Sequence, residues 1–310
     1  MDNVVFRTTI PIIILIAAGL LSKRTGVLKQ GDERVLSAYV YYFALPALFI
    51  VNLAETIFSI EAFRYIIAGI IPILTISFII IAVSIILRLK KDTIFLLIFS
   101  TIFGSLAFFG IPFIIFAFPM GEGERLATIS AASISVVVVP MLITILELRG
   151  LKKSAKIEGV KYVFRRLSKN PLILSVILGT LLSLIGITIP AVISTALHML
   201  GGTSAAVAIF MLGAFLYGRK YGQIVKAMEL SLLRMIFLPL LALLILKLFN
   251  LSDFEKSVIV LMHSMPLAVS TVILSERYNF FKEVVASLVL ITNFGAIIYL
   301  NLWLFILGIQ

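Results

Sequence analysis

Two short stretches hold most of the polar chemistry that lies deep in this oily chain. In LMHSMPLAVST, residues 261–271, His263, Ser264, Pro266, Ser270 and Thr271 interrupt an apolar run. In GSLAFFGIP, residues 104–112, Gly104, Ser105, Gly110 and Pro112 interrupt another. Proline lacks a backbone donor and clashes with the preceding turn, and glycine weakens a helix, so each stretch is expected to break one. Exposed backbone at membrane depth survives only where protein covers it or it lines a wet cavity. The broken ends then present free N–H groups and positive dipole ends. Such ends suit an anionic group such as a carboxylate. The hydroxyls and the imidazole are able to satisfy freed backbone or a ligand. Each element also has a plainer reading, as a tolerated kink or a hydrogen-bonded packing residue.

Other chemistries lack their residues. The chain has no cysteine and only two histidines, His198 and His263, so no metal site and no cofactor are expected. No Asp or Glu falls near the middle of an apolar stretch; Glu55, Glu147 and Glu276 all lie close to ends. Buried carboxylates are the usual mark of proton relays and cation sites, so a sodium–proton antiporter is disfavoured. His263 is the one deep group able to change charge near neutral pH, and a role in tuning substrate charge or proton coupling follows as a hypothesis. His198, beside Gly201 and Gly202, reads as structural or interfacial. Arg234 either snorkels to the interface or pairs with an anionic substrate. Tyr42 is placed to reach the site, although Tyr39, Tyr41 and Tyr42 also read as packing aromatics.

These residues must be positioned by helices in lipid. Of 310 residues, 61% are apolar and only 13% charged, where a soluble domain carries about a quarter charged. The apolar runs are near the length that crosses a bilayer as a helix, and they do not alternate as barrel strands do. They lie at about 4–22, 35–54, 63–87, 93–118, 125–147, 171–187, 190–217, 224–249, 257–276 and 283–308. The first is read as a span and not as a removed signal peptide, since no basic segment precedes it. Loops after the odd-numbered spans carry 20 of the 26 Lys and Arg residues. By the positive-inside rule those loops are cytoplasmic and both termini face outward in the cell membrane. The net charge of +11 is thus assigned to cytoplasmic loops and not to nucleic-acid binding. Segment 148–170 is either an amphipathic surface helix on anionic lipid or a solvated linker.

The segment also divides the chain into residues 1–148, a basic linker 149–170, and residues 171–310, with five spans in each half. Pro11, Gly19 and Gly26 match Pro171, Gly179 and Gly186 at one offset, 160. An odd number of spans per half makes the second enter the membrane from the opposite side, giving an inverted repeat of the kind found in many secondary transporters. The expected fold is all-α and polytopic, with ten transmembrane helices and broken helices 4 and 9. A register of about 161 sets Ser105-Leu106-Ala107 over Pro266-Leu267-Ala268.

FRTTIPIIILIAAGLLSKRTGVLK, LSAYVYYFALPALFIVNLA, NPLILSVILGTLLSLIGITIP, AVAIFMLGAFLYG and MPLAVSTVILSERYNF together resemble the auxin efflux carrier family along the whole chain. The resemblance implies crossing helices 4 and 9, a scaffold and a transport domain, a homodimer, and small organic anions such as auxin, malate or malonate as cargo. The family's span-4 pattern Asn-x-x-x-x-Gly-x-Pro ends on Gly110 and Pro112, with Ser105 in the place of its asparagine.

The expected function is a permease that moves a small organic anion by alternating access, with Ser105, Gly110, Pro112, His263, Ser264, Pro266, Ser270, Thr271 and Tyr42 as site residues. A receptor without transport is the alternative. An intramembrane enzyme using His198 and His263 lacks a further strong ligand at depth, and no Walker motif supports an ATP-driven pump.

Overall fold

The computed structural model describes residues 4–118, 121–150, 165, 168–218 and 221–309. Its helices are α1 (Val4–Arg24), α2 (Asp32–Tyr39), α3 (Leu45–Ala54), α4 (Ile60–Ile86), α5 (Lys91–Ile102), α6 (Ile111–Ala117), α7 (Glu122–Gly150), α8 (Pro171–Ile185), α9 (Ala191–Leu216), α10 (Ile224–Leu232), α11 (Leu238–Leu246), α12 (Asp253–Ser264), α13 (Ser270–Arg277) and α14 (Lys282–Ile306). They fill the apolar stretches read from the sequence, and no stretch end is displaced by more than four residues. Six helical runs are long and apolar enough to cross a membrane, and Leu106–Ala117 and Pro171–Ile185 are shorter apolar helices. Most of segment 148–170 lies outside the described residues.

Three five-residue π-helical turns join helices end to end: Val40–Ala44 between α2 and α3, Leu106–Gly110 before α6, and Leu233–Phe237 between α10 and α11. Each is followed, two residues after its end, by a proline: Pro46, Pro112 and Pro239. A proline inside a helix cannot bond the carbonyl four residues back, and widening the turn relieves the clash. The Met235 carbonyl, four residues before Pro239, instead accepts the Trp303 indole N–H at 2.8 Å.

Close helix contacts rest on glycine. A Cβ at Gly19 would overlap the Phe210 carbonyl, so α1 and α9 touch backbone to backbone, and Gly213 meets Ile16 in the same way. A Cβ at Gly179 would lie 2.9 Å from the Ile50 carbonyl, joining α8 to α3. Gly19 and Gly179 are 160 residues apart, and so are their partners Ile50 and Phe210. The offset recurs where α1 and α8 end. Gly26 and Gly186 have left-handed φ of 78° and 74°, and their N–H groups donate to the Lys23 and Ser183 carbonyls. Small residues that let backbones approach are the usual interface of helices in lipid, where dispersion replaces the hydrophobic effect.

Candidate functional site

The two interrupted stretches meet. Helix α5 stops at Ile102, and Phe103, Gly104 and Ser105 run irregularly before the π-turn begins at Leu106. Helix α12 stops at Ser264, with Met265 extended (φ −59°, ψ 144°), and α13 resumes at Ser270. Gly104 and Leu267 form an antiparallel bridge. The Ser105 N–H donates to the Pro266 carbonyl at 2.8 Å, and the Ala268 N–H donates to the Phe103 carbonyl at 3.2 Å. Each broken segment thus supplies backbone partners to the other, answering part of the demand that apolar surroundings impose.

Helix α14 satisfies more of that demand. The Leu267 N–H donates to the Thr292 hydroxyl at 3.1 Å, and Asn293 Nδ2 donates to the Leu267 carbonyl at 3.1 Å and to Val289 O at 2.8 Å. The polar pair Thr292-Asn293 inside LVLITNFGAII is the sequence signal for this support, and residue typing alone had not singled it out.

Arg234 follows neither of the courses expected from the sequence. It is 1% exposed, so it does not snorkel, and it does not line the cavity described below. The π-turn that carries it aims the side chain between the two breaks. Nε donates to the Met265 carbonyl and Nη1 to the Thr101 carbonyl, each at 2.6 Å. These carbonyls sit at the C-terminal ends of α12 and α5, where each helix dipole is negative and the last carbonyls lack intrahelical donors. One guanidinium therefore answers both ends. Gly104 makes the room, since a Cβ there would overlap the Arg234 guanidinium.

Beside the bridge lies a cavity of about 360 Å³. Ser37, Ser105, Ser270 and Asn293 contribute polar groups to its lining, with Ser105 and Asn293 buried and Ser270 exposed, Phe108 and Met211 form part of its apolar wall, and Glu33 and Arg34, shared with an adjoining vestibule, stand at its rim. Among the described residues, the hydroxyls of Ser37, Ser105 and Ser270 make no protein hydrogen bond. They are donors and acceptors available to a ligand. The helical run Leu106–Ala117 begins immediately after Ser105 and α13 begins at Ser270, so two positive helix ends lie at this wall. Negative helix ends are held by Arg234; at the start of α13 the Thr271 and Val272 N–H groups already donate to the Ala268 and Val269 carbonyls, so that end reaches the cavity through its dipole and the Ser270 hydroxyl.

The other expected site residues lie elsewhere. Pro266 offers its carbonyl to Ser105. Gly110 packs against Met262 and Met265, where a Cβ would come within 3.0 Å of either side chain, and Pro112 is the buried second residue of α6. His263 Nε2 is 3.0 Å from the Gly69 carbonyl on α4, a packing role outside the cavity. The Ser264 hydroxyl donates to Val260 O at 2.8 Å within its own helix, and that of Thr271 donates to Ala268 O at 2.5 Å in the broken segment just before α13, so both are occupied locally. Tyr42 is 58% exposed and sits edge-on to Tyr41 with ring centroids 5.0 Å apart. His198 Nε2 lies 3.3 Å from Glu55 Oε1 at an exposed α3–α9 contact, far in sequence from either break.

Comparison with known proteins gives a consistent picture. The sequence profile of the family described as membrane transport protein matches residues 4–304. The uncharacterized transporter MJ1031 of Methanocaldococcus jannaschii is 26% identical over 306 residues, 96% of each chain. The uncharacterized transporter YfdV of Escherichia coli K12 is 24% identical over 139 residues, 45% of this chain and 44% of the relative.

Proposed function

We propose that this chain, which belongs to the membrane transport protein family, the auxin efflux carriers, is a secondary carrier that moves a small organic anion, a carboxylate, across the cell membrane. The observation that carries the reading is the convergence of two helix N-terminal ends and unpartnered serine hydroxyls on one cavity, beside the bridge between Gly104 and Leu267. Positive helix ends and hydroxyl donors favour a carboxylate, and an apolar wall favours an organic body behind it. Among the described lining residues the one carboxylate is Glu33, which is ion-paired to Lys23.

The ten helical stretches then serve as two inverted five-helix repeats. Support comes from the offset of 160 that relates the α1–α9 contact at Gly19 to the α8–α3 contact at Gly179. Both termini face outward, and the basic loops after α1 and α9 face the cytoplasm. The rim residues Glu33 and Arg34 lie on that side, so the cavity is open inward, and alternating access closes it there and opens it outward.

Purified protein in liposomes, supplied with radiolabelled malonate, malate or indole-acetate under imposed proton or sodium gradients, tests the reading. Saturable uptake of one of these is expected. A folded protein that moves no carboxylate contradicts it.

A further inference from the structure

The rim of the cavity carries two oppositely charged neighbours in sequence, Glu33 and Arg34, and their surroundings treat them differently. Glu33 Oε2 lies 2.5 Å from Lys23 Nζ, with the two side chains 15% and 8% exposed. The same oxygen accepts the Gly31 N–H at 3.2 Å. Lys23 is held from a second direction, donating to the Lys29 carbonyl at 2.7 Å. Lys29 in turn gives its backbone N–H to Asp32 Oδ2 at 2.7 Å, which keeps that second carboxylate on the loop. Among the described residues Arg34 has no acidic partner and is exposed. A wider vestibule of about 790 Å³ continues outward from the same rim, and among its described lining residues Lys23, Lys29 and Arg34 stand with a single carboxylate, Glu33.

An ion pair this enclosed is screened little by salt, whereas a free guanidinium at a wet mouth projects its field into the opening. We infer that Arg34 selects anions at the cavity mouth, and that Lys23 makes this selection effective by silencing Glu33. The arrangement explains why a carboxylate is tolerated at the entrance of an anion site: with Lys23 in place Glu33 adds no net negative charge. Without Lys23 the entrance would hold an uncompensated carboxylate next to Arg34, and the two would cancel. The role at the mouth presupposes the carrier reading above, but the electrostatic claim is measurable without any substrate.

The natural absence of cysteine gives a clean background. Ser37 lines the cavity one helical turn beyond Arg34, and Ser37→Cys places a thiol there. The purified full chain in detergent is treated with methanethiosulfonate reagents of three kinds: anionic sulfonatoethyl, cationic trimethylammonium-ethyl and neutral methyl. Rates are divided by those for free mercaptoethanol. The anionic reagent should be favoured over the cationic one. Removing one charge about 8 Å away in water should change that ratio about five-fold, because the two reagents respond in opposite directions. Arg34→Gln and Lys23→Gln should each lower the ratio by about that factor, Glu33→Gln should raise it, and Lys23→Gln with Glu33→Gln should return it close to the starting value. The neutral reagent should react at one rate throughout, which controls for folding and access. An unchanged ratio in Arg34→Gln, or a double variant that stays as low as Lys23→Gln, overturns the inference. If the ratios shift as expected while liposomes take up no carboxylate, the mouth is anion-selective and it is the carrier reading that fails.

Discussion

Replacing Arg234 with methionine keeps an unbranched apolar stem and removes the guanidinium. Two carbonyls, Thr101 O and Met265 O, then lose donors that lie at 2.6 Å. A buried acceptor left without a donor costs about 1–3 kcal/mol, so the pair costs roughly 2–6 kcal/mol. The cation's attraction to a helix C-terminus adds up to about 2 kcal/mol in a partly buried setting. Methionine escapes the desolvation of a buried ion, a penalty of several kcal/mol in the opposite direction. The balance is a loss of about 3 kcal/mol, concentrated where α5 and α12 end, and by the usual conversion a factor of about 100 in a local opening equilibrium. Hydrogen–deuterium exchange of the whole protein in detergent reads this directly. Amides of residues 103–106, 265 and 267–269 should lose about 100-fold of protection, while α9 and the far end of α4 keep theirs. Gly104→Ala approaches the same contact from the other side, since its Cβ overlaps the guanidinium. It should loosen the same amides, and the double variant should fall short of the sum of the two, because both remove one contact. Wild-type exchange at both breaks in Arg234→Met would refute the claim that this arginine holds them.

Three further outcomes follow from single contacts. Thr292→Val removes the acceptor of the buried Leu267 N–H and should lower stability to chemical unfolding by about 1–3 kcal/mol; an unchanged midpoint would mean the bond is not made. His263→Gln should leave the pH profile of uptake where it is, because the imidazole is committed to the Gly69 carbonyl and lies outside the cavity; a displaced profile would return His263 to the proton-linked role that its sequence setting raises. Arg7 donates Nε to Phe116 O at 3.0 Å and Nη2 to Ala117 O at 2.6 Å, tying α1 to the C-terminal end of α6. Arg7→Gln should speed amide exchange at 113–118 with a stability loss of about 1–2 kcal/mol, and unaltered exchange there would argue against the tie.

How far the residues themselves announce these features depends on which atoms take part. The two breaks are visible as Gly104-Ser105 and Pro266 because glycine and proline act on the backbone that carries them. An offset near 161 sets Ser105 over Pro266 in the sequence, and the two segments meet at that pair, but they meet as an antiparallel bridge, whose pairs do not keep one offset. Arg234 is different. Its partners are the carbonyls of Thr101 and Met265, which every residue possesses, so no side-chain type marks where the cation goes. A lone arginine inside an apolar run therefore looks like a snorkelling one. The tyrosines misdirect for the opposite reason: Tyr42 has a hydroxyl able to bind a ligand, but the π-turn Val40–Ala44 sets its face, and that turn is not written in the tyrosines. Nor do the prolines announce the π-turns by themselves. Pro46, Pro112 and Pro239 each follow one, whereas Pro72 lies inside an uninterrupted α4. The hydroxyls at Ser264 and Thr271 close on the nearby Val260 and Ala268 carbonyls, an ordinary fate of such groups in apolar surroundings, and of the hydroxyls expected at the site from the two breaks only those of Ser105 and Ser270 line the cavity. The mouth was legible only in part, since Lys23 and Arg34 enter the charge count that orients the chain, but the pairing of Glu33 with Lys23 depends on the turn at Gly26 and Gly31.

In the proposed carrier an organic anion passes through the cavity beside the Gly104–Leu267 bridge. Ser105→Cys protein, cysteine-free elsewhere, is reconstituted in liposomes and assayed for uptake of labelled malonate, malate and indole-acetate before and after reaction with a maleimide. Uptake of at least one carboxylate is expected, with its loss once the thiol is modified and slower modification when that carboxylate is present in excess. Complete modification at Ser105→Cys with uptake unchanged would contradict it.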